Sequence, residues 1–171
     1  MTDLAALLPL AEAVIGECKR RKLRIVTAES CTGGLVVAAL TEVPGSSAVV
    51  ERGLVTYSNA AKTDVLGVPK ALIDSKGAAS EDVARAMAAG ALAHSGAELA
   101  VSITGIAGPD GGSVDKPVGL VHFAVMRRGG KTRHIKHRFP DNGRSAIRIA
   151  AASEALRLLL ALAQSGQTET L

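Results

Sequence analysis

The sequence predicts an α/β protein with a mixed, mostly parallel five-stranded sheet. Two observations carry this prediction: three apolar strand segments alternate with helical segments, and the last two strands are joined by a glycine hairpin at 128–130. Strand–helix–strand alternation favours right-handed crossovers and parallel strands, whereas a short hairpin reverses the chain. The 171 residues, 47% hydrophobic and 21% charged, exclude a disordered chain and fit a single domain over 1–171 with a polar tail from about residue 164.

Helical and extended patterns alternate through the first half of the chain. Apolar residues recur at helical spacing near the N terminus, and β-branched residues concentrate in the short runs that follow. Pro44-Gly45 ends the second helix, and residues 51–53 favour a bulge or an exposed start of the second strand. The predicted elements are a helix over 3–21, strand one over 23–28, a helix from Gly33-Gly34 to Leu40, strand two over 49–57 and a short helix capped by Ser58 or Asn59.

The second half of the chain is predicted to complete the sheet. Strand four follows a loop without a helix, so it is expected to run antiparallel to strand three, and the hairpin turns strand five back. Strands one, two, three and five then end at one edge of the sheet, where open α/β sheets bind ligands. The elements are a helix from Ser80 to about His94, strands over 98–104, 119–126 and 131–139, and a final helix capped by Asp141 or Asn142 that runs to about Ala163.

The segment 28–34, with the sequence AESCTGG, joins the end of strand one to a helix start. Backbone N–H groups point outward at such a junction and stabilise anions. The pattern indicates either a nucleophilic Ser30 beside an oxyanion hole near Gly33-Gly34 or a cradle for a phosphate, and an ordinary helix cap is the alternative. Cys31 is a second candidate nucleophile, because a helix N terminus lowers the pKa of a thiol.

Tyr57 and Lys62 follow strand two, and Tyr57 is the only tyrosine of the sequence. A lysine in the first turn of a helix opposes the macrodipole, and desolvation lowers its pKa further. Lys62 is therefore a candidate general base, and it allows a Ser–Lys arrangement without a histidine. The alternative is a surface lysine on an ordinary helix.

Glycines dominate the segment 104–112, which follows strand three. Such a loop has backbone N–H groups that can hold a phosphate or an amide oxygen, and a plain long turn is the alternative. Arg144 falls in the first turn of the final helix, at the same predicted edge of the sheet. Its guanidinium and the helix end are expected to grip a phosphate, unless Arg144 is an exposed arginine that forms a salt bridge.

The net charge of +4 has a local origin. The stretch from Arg127 to Arg138 holds six basic residues and no acidic one, and without those six the chain has 14 basic against 16 acidic residues. A solvated β-hairpin explains this stretch better than a nucleic-acid surface does, because the chain has only three aromatic side chains that could stack on bases. Nucleic acid is therefore an improbable partner.

The cysteines and histidines point away from metal chemistry. Cys18 and Cys31 form no CxxC pair, the four histidines lack zinc-ligand spacing, and neither a metal nor another cofactor is expected. Two cysteines without a signal peptide predict a reducing cytoplasm. The sequence has no run of about 18 apolar residues, so no membrane association is expected.

Five motifs follow one another along the chain: AESCTGG (28–34), PGSS (44–47), ERGxVTYSNxAK (51–62), SITGIAGPDGG (102–112) and KPVG (116–119). In this order and spacing they resemble the CinA C-terminal domain family, which includes the bacterial nicotinamide mononucleotide deamidases of the PncC type. The resemblance extends from Thr27 to about Arg148 and implies a three-layer α/β/α sandwich of the anticodon-binding-domain-like group. It also suggests the stand-alone form, without the N-terminal nucleotide-hydrolase domain of larger family members.

The resemblance implies hydrolysis of the carboxamide of nicotinamide mononucleotide without a metal. By motif, Ser30 matches the nucleophile, Lys62 its base, and Tyr57 a residue that assists proton transfer or the oxyanion. Ser47 stays open as the alternative acylated serine. The predicted substrate contacts are Thr32, Gly33, Gly34, Ser47, Asn59, Thr104, Gly105, Gly108 and Arg144.

Two function classes remain open at this point. One is an amidohydrolase acting on a small nucleotide, expected to be a homo-oligomer. The other is a non-catalytic nucleotide- or phosphate-binding module linked to DNA competence, which needs the glycines and helix ends but neither Tyr57 nor Lys62.

Overall fold

The computed structural model describes residues 4–166, which form six α-helices, five strands and short 3-10 turns at Leu4–Leu7 and Ser46–Ala48. All five predicted strands are present, and the predicted tail beyond residue 166 lies outside the described residues. The elements are α1 (Leu8–Arg21), β1 (Ile25–Glu29), α2 (Leu35–Glu42), β2 (Val50–Val55), α3 (Asn59–Leu66), α4 (Lys70–Lys76), α5 (Glu81–Ala93), β3 (Leu99–Gly105), β4 (Leu120–Arg127), β5 (Arg133–Arg138) and α6 (Arg144–Gln164).

The sheet has the strand order β2-β1-β3-β4-β5. Strand β1 pairs in parallel with β2 and β3, and β4 pairs antiparallel with β3 and β5, which confirms the predicted directions. Near the start of β2, the pairing with β1 passes over Glu51, so that Val50 pairs with Ile25 and Arg52 with Val26. This irregularity agrees with the bulge predicted at residues 51–53. Four strands therefore end at one edge of the sheet, which we call the C-terminal edge.

Helices cover both faces of the sheet and form the three layers that the resemblance implied. The larger core joins α1, α2 and α6 to one face, around buried side chains such as Leu99 and Phe123. The smaller core joins α3, α4 and α5 to the other face, around Val26 and Met87. This packing fixes the strand ends from both sides, so that the loops at the C-terminal edge start from rigid elements.

Helix starts were predicted with mixed success. Ser58 and Ser80 cap α3 and α5, each with its hydroxyl accepting the N–H three residues later, at 3.0 and 3.3 Å. The predicted cap of α6 by Asp141 or Asn142 is wrong, because the helix starts one residue later, after Gly143. The carboxylate of Asp141 instead accepts the N–H of Gly143 at 3.3 Å within the preceding turn.

Part of the basic stretch serves the fold. The guanidinium of Arg127 donates to Leu162 O and Ser165 O at the end of α6, and that of Arg128 donates to carbonyl oxygens at the end of α5. Positive charges at the C-terminal end of a helix interact favourably with its macrodipole. The other basic residues lie on or beside the edge strand β5, where charge discourages pairing with a further strand.

Cys18 and Cys31 are free, buried thiols. Within residues 4–166, no helix is long and apolar enough to span a membrane. The same residues contain no cluster of three or more His, Cys, Asp or Glu side chains placed to hold a metal ion.

Candidate active site

A cleft of about 410 Å³ opens at the C-terminal edge of the sheet. Its size falls within the range of small-molecule sites, roughly 300–1,000 Å³. Segments that are distant in sequence meet there: the ends of β1, β2 and β3, the start of α3, the α4–α5 connection and the start of α6. Eight predicted site residues line it, namely Ser30, Tyr57, Asn59, Lys62, Thr104, Gly105, Gly108 and Arg144.

Lys62 is buried at the floor of the cleft, with 1% of its surface exposed. Its Nζ lies 3.0 Å from Ser30 Oγ, 2.9 Å from Thr56 O and 3.4 Å from Tyr57 O. Burial lowers the pKa of the Lys62 amine, and only an interaction with Cys31 opposes this shift. A neutral amine fits these partners well, because its two N–H groups can serve the carbonyl oxygens while its lone pair accepts the Ser30 hydroxyl proton.

The local sequence explains how Lys62 reaches this position. Ser58 caps α3, so the helix starts immediately after the end of β2, and Lys62 is its fourth residue. The positive end of the helix macrodipole also disfavours the charged form of a lysine in this turn. The predicted environment of Lys62 therefore agrees with the structure.

Ser30 directly follows the end of β1 and continues its hydrogen bonding to β3. Its N–H donates to Ile103 O of β3 at 2.9 Å, and its side chain is largely buried. The chain then turns sharply, with the Gly33 N–H donating to Ser30 O at 3.0 Å. The Ser30 hydroxyl is thus presented from a fixed backbone.

Glu29 occupies the helix start that the sequence suggested for an anion. The side chain is fully buried, and its carboxylate accepts N–H groups from Gly34, Val36 and Val37 at 3.0, 3.2 and 2.9 Å. The Thr27 hydroxyl donates to the same carboxylate at 3.3 Å. A protein carboxylate therefore caps α2, and the expected oxyanion hole near Gly33-Gly34 does not agree with these hydrogen bonds.

Thr32, Gly33, Gly34 and Ser47 are the predicted contacts that the structure does not bring to the cleft. Thr32 O accepts the Arg148 guanidinium at 2.9 Å, and its buried hydroxyl has no hydrogen-bond partner within residues 4–166. Ser47 is exposed in the turn that precedes β2, at the opposite edge of the sheet.

Cys31 lines the cleft, but its thiol is not activated. Burial, with a smaller contribution from Glu29, raises the pKa of Cys31 to about 11. The expectation that the helix start lowers this pKa is wrong. The Glu29 carboxylate already occupies the amides of that helix start.

Arg144 joins two walls of the cleft. Its Nη2 donates to the Tyr57 hydroxyl at 2.7 Å, and its Nη1 donates to Gly108 O at 2.6 Å. Tyr57 is 60% exposed, and it contacts Lys62 through its backbone oxygen rather than through its phenol. This geometry places the phenol and the guanidinium together at the rim of the cleft.

The opposite wall is held by Thr104, whose hydroxyl donates to Ala78 O in the α4–α5 connection at 2.8 Å. Lys116, which the sequence analysis did not single out, also lines the cleft and donates to Lys76 O at the end of α4. Its position within the KPVG motif was the available signal. Among the described residues that line the cleft, the basic side chains are Lys62, Lys116 and Arg144, and the carboxylate is Asp110.

Comparison with known proteins identifies the family. The profile of the CinA C-terminal domain family matches residues 7–163. The chain belongs to the CinA C-terminal domain family. Crystal structures from this family share the fold closely: the competence/damage inducible protein CihA from Agrobacterium tumefaciens is 51% identical, with a TM-score of 0.90 over 92% of this chain and 96% of that one.

Two curated CinA relatives differ in length. The nicotinamide-nucleotide amidohydrolase PncC from Enterobacter agglomerans is 48% identical over 136 residues, which cover 80% of this chain and 82% of that protein. The CinA-like protein from Akkermansia muciniphila is 48% identical over 151 residues, 88% of this chain but 36% of that protein. The chain thus spans about a third of the length of the CinA-like proteins it matches.

Proposed function

We propose that this chain is an amidohydrolase that converts nicotinamide mononucleotide into nicotinic acid mononucleotide and ammonia. The observation that carries the proposal is the 3.0 Å contact between a buried lysine amine and a serine hydroxyl within a cleft. The PncC relative, whose name states this activity, adds support because the alignment covers most of its length.

The contacts of Lys62 suggest a two-step reaction. Neutral Lys62 takes the hydroxyl proton of Ser30 while Ser30 Oγ attacks the carboxamide carbon, and the carbonyl oxygen becomes an oxyanion. When the C–N bond breaks, the Lys62 ammonium protonates the departing nitrogen, which leaves as ammonia. Lys62 then accepts a proton from water, whose oxygen attacks the ester carbon. As the bond between this carbon and Ser30 Oγ breaks, the Lys62 ammonium returns the proton to Ser30 Oγ, which releases the acid and restores neutral Lys62.

The charge of the cleft fits an anionic nucleotide. Arg144 and Lys116 stand on different walls, and each keeps N–H donors beyond the hydrogen bonds described above. We propose that Arg144 binds the 5′-phosphate, because its planar guanidinium can make paired hydrogen bonds to phosphate oxygens. Tyr57 then acts with Arg144 at the rim, since its phenol contacts neither Ser30 nor Lys62 within the described residues.

A non-catalytic nucleotide-binding module is the second candidate, and the competence-related names of several solved relatives favour it. Such a module has no need of a lysine buried against a serine. Burying an amine without a carboxylate partner is unfavourable, and sites that tolerate this are enriched in catalytic function. Lys62 therefore favours the enzyme.

Ammonia release from nicotinamide mononucleotide by the purified protein tests the proposal, with and without EDTA. We expect stoichiometric ammonia and nicotinic acid mononucleotide, at a rate that the chelator does not change. Tight binding of the mononucleotide without turnover would favour the binding module instead. A rate lost in EDTA and restored by a divalent ion would contradict the metal-free mechanism.

A further inference from the structure

The proposed reaction places a negative charge on the carboxamide oxygen, and the amides nearest to Ser30 are already used. The Ser30 N–H donates to Ile103 O, and the Gly33 N–H donates to Ser30 O. The Gly34 N–H donates to the buried Glu29 carboxylate. These three amides are therefore not available to the oxyanion.

Two amides of this turn remain, those of Cys31 and Thr32. Cys31 lines the cleft directly after Ser30. Thr32 does not line the cleft, and its carbonyl is held by Arg148. A further candidate donor lies on the neighbouring strand β3, which ends beside Ser30.

The register of β3 directs one amide toward Ser30. The Ile106 N–H donates to Leu120 O on the β4 side at 2.9 Å, so the N–H of the preceding Gly105 points to the β1 side. On that side, the Ser30 N–H donates to Ile103 O. If the parallel pairing continued, the next hydrogen bond would run from the Gly105 N–H to Ser30 O. Strand β1 ends at Glu29, so no strand residue lies opposite Gly105 on this side. Ser30 O accepts the Gly33 N–H, and within residues 4–166 the Gly105 N–H forms no bond to it.

We propose that the Gly105 N–H donates to the oxyanion formed on the substrate, an assignment that rests on the proposed amidohydrolase function. Gly105 lines the cleft together with Ser30 and Lys62. An amide that is fixed by a strand and has no protein partner is preorganised for a charge that develops only during the reaction. Strand β3 thus supplies a donor from across the sheet, whereas the Glu29 carboxylate occupies the amides at the start of α2.

The packing of Gly105 is consistent with this role. A Cβ at this position would lie 2.5 Å from Leu120 O and 2.7 Å from Val121 Cα. Glycine therefore lets β3 and β4 remain close at this point. Ordinary side-chain substitutions would disturb the sheet, so the test must change the backbone N–H alone.

Replacement of the amide by an ester provides that test. Incorporation of glycolic acid by nonsense suppression (Gly105→glycolic acid) removes the N–H and keeps the shape of the chain. We expect kcat for nicotinamide mononucleotide to fall about 100–1,000-fold, the loss known for one oxyanion donor. KM and the free energy of unfolding should change little, because this N–H has no partner in the free protein. A kcat within threefold of wild type would overturn the assignment.

Gly129→glycolic acid is the matched control, because Gly129 is exposed in the hairpin between β4 and β5 and does not line the cleft. This variant should keep a kcat within threefold of wild type. An equal loss in both esters would overturn the assignment, since it would reflect a general effect of the ester. If the wild type itself releases no ammonia, the proposed function fails and the assignment fails with it, whereas an active wild type with an active Gly105 ester contradicts the assignment alone.

NMR provides a readout that does not need the ester protein. In ¹⁵N-glycine-labelled protein, a boronic acid analogue of the mononucleotide, with boron in place of the carboxamide carbon, should form a tetrahedral adduct with Ser30. We expect the Gly105 amide proton to show the largest downfield shift among the cleft glycines 77, 105, 108 and 111. A shift at Gly105 no larger than that at Gly111 would overturn the proposal.

Discussion

Lys62 Nζ lies 3.0 Å from Ser30 Oγ, and its other two polar neighbours are backbone carbonyl oxygens. No carboxylate compensates the ammonium form among these partners, so burial favours the neutral amine. A neutral amine beside a hydroxyl is a general base, whereas a charged one would only donate to the serine oxygen. The proposed chemistry depends on this protonation state.

Lys62→Met should remove the base while filling nearly the same volume. We expect kcat to fall about 100–10,000-fold, the usual contribution of a general base. The free energy of unfolding should stay the same or rise, because the variant no longer buries an amine. Steady-state kinetics and urea unfolding of the two proteins test this, and a variant with a tenth of the wild-type kcat or more would contradict the role.

The same amine sets a pH dependence of activity. The pKa of Lys62 is lowered below 10.5, and only the deprotonated form accepts the serine proton. Activity should therefore rise with pH through the lowered pKa of Lys62 and reach a plateau above it. Measurement of kcat/KM of the wild type as a function of pH tests this rise. A kcat/KM that falls as Lys62 loses its proton would contradict the role of Lys62 as the base.

Ser30→Ala should abolish ammonia release and leave nicotinamide mononucleotide binding nearly intact, because only a hydroxyl in contact with Lys62 is removed. Ser47→Ala is the matched control. Ser47 is exposed at the opposite edge of the sheet, so this variant should keep the wild-type kcat. Calorimetric binding and kinetics of both variants decide between the serines. The reverse pattern would move the nucleophile to Ser47.

Arg144→Ala should weaken recognition of the phosphate rather than the chemistry. We expect kcat/KM for the mononucleotide to fall roughly 10–150-fold, as for about 1.5–3 kcal/mol from hydrogen bonds to a charged group. Nicotinamide riboside, which lacks the phosphate, should be a poor substrate that the variant barely changes. Lys131→Ala, on the exposed hairpin, controls for the loss of one positive charge. An equal loss with both substrates would assign Arg144 a structural or catalytic role instead.

His122 should make stability depend on pH. Burial, with smaller effects of His134, Lys136 and Lys116, lowers the pKa of His122 to about 4. Between about pH 6.5 and 4 the unfolded chain binds a proton that the folded protein does not, so stability is lost as pH falls through this window. Across the whole window, the free energy of unfolding falls by on the order of 3 kcal/mol.

Urea unfolding of wild type and His122→Gln at several pH values between 4.5 and 7 measures this effect. The variant should lose less stability than wild type as the pH falls. Carboxylates that titrate in both proteins cancel in the comparison. Parallel curves for the two proteins would show that His122 does not carry the effect.

Sequence patterns predicted the strands, their directions and the edge that holds the cleft, because these features follow from local periodicity and connection length. The cap of α3 was predicted as Ser58 or Asn59 because a cap and the N–H that it accepts lie within one turn, and the structure selects Ser58. Helix α4 was missed because its seven residues between Pro69 and Gly77 are too few to show a period. The contact of Lys116 with Lys76 O depends on that helix and was missed with it.

The helix start after Ser30 shows why site prediction needs the fold. The motif places glycines after the serine, and the sequence alone favours free amides there. In the structure, the carboxylate of the preceding Glu29 accepts hydrogen bonds from the N–H groups at the start of α2. No rule of residue spacing indicates these bonds. The side chains of Tyr57 and Arg144 meet although 87 positions separate them, so their pairing likewise depends on tertiary packing.

Trapping of the acyl-enzyme tests the central role of Ser30 most directly. Rapid acid quench of wild type with nicotinamide mononucleotide, followed by peptide mass spectrometry, should show a nicotinoyl mononucleotide ester on Ser30. Added hydroxylamine should divert product from the acid to the hydroxamate without slowing ammonia release. An adduct on Cys31 or Ser47, or ammonia release with neither ester nor hydroxamate, would contradict nucleophilic attack by Ser30.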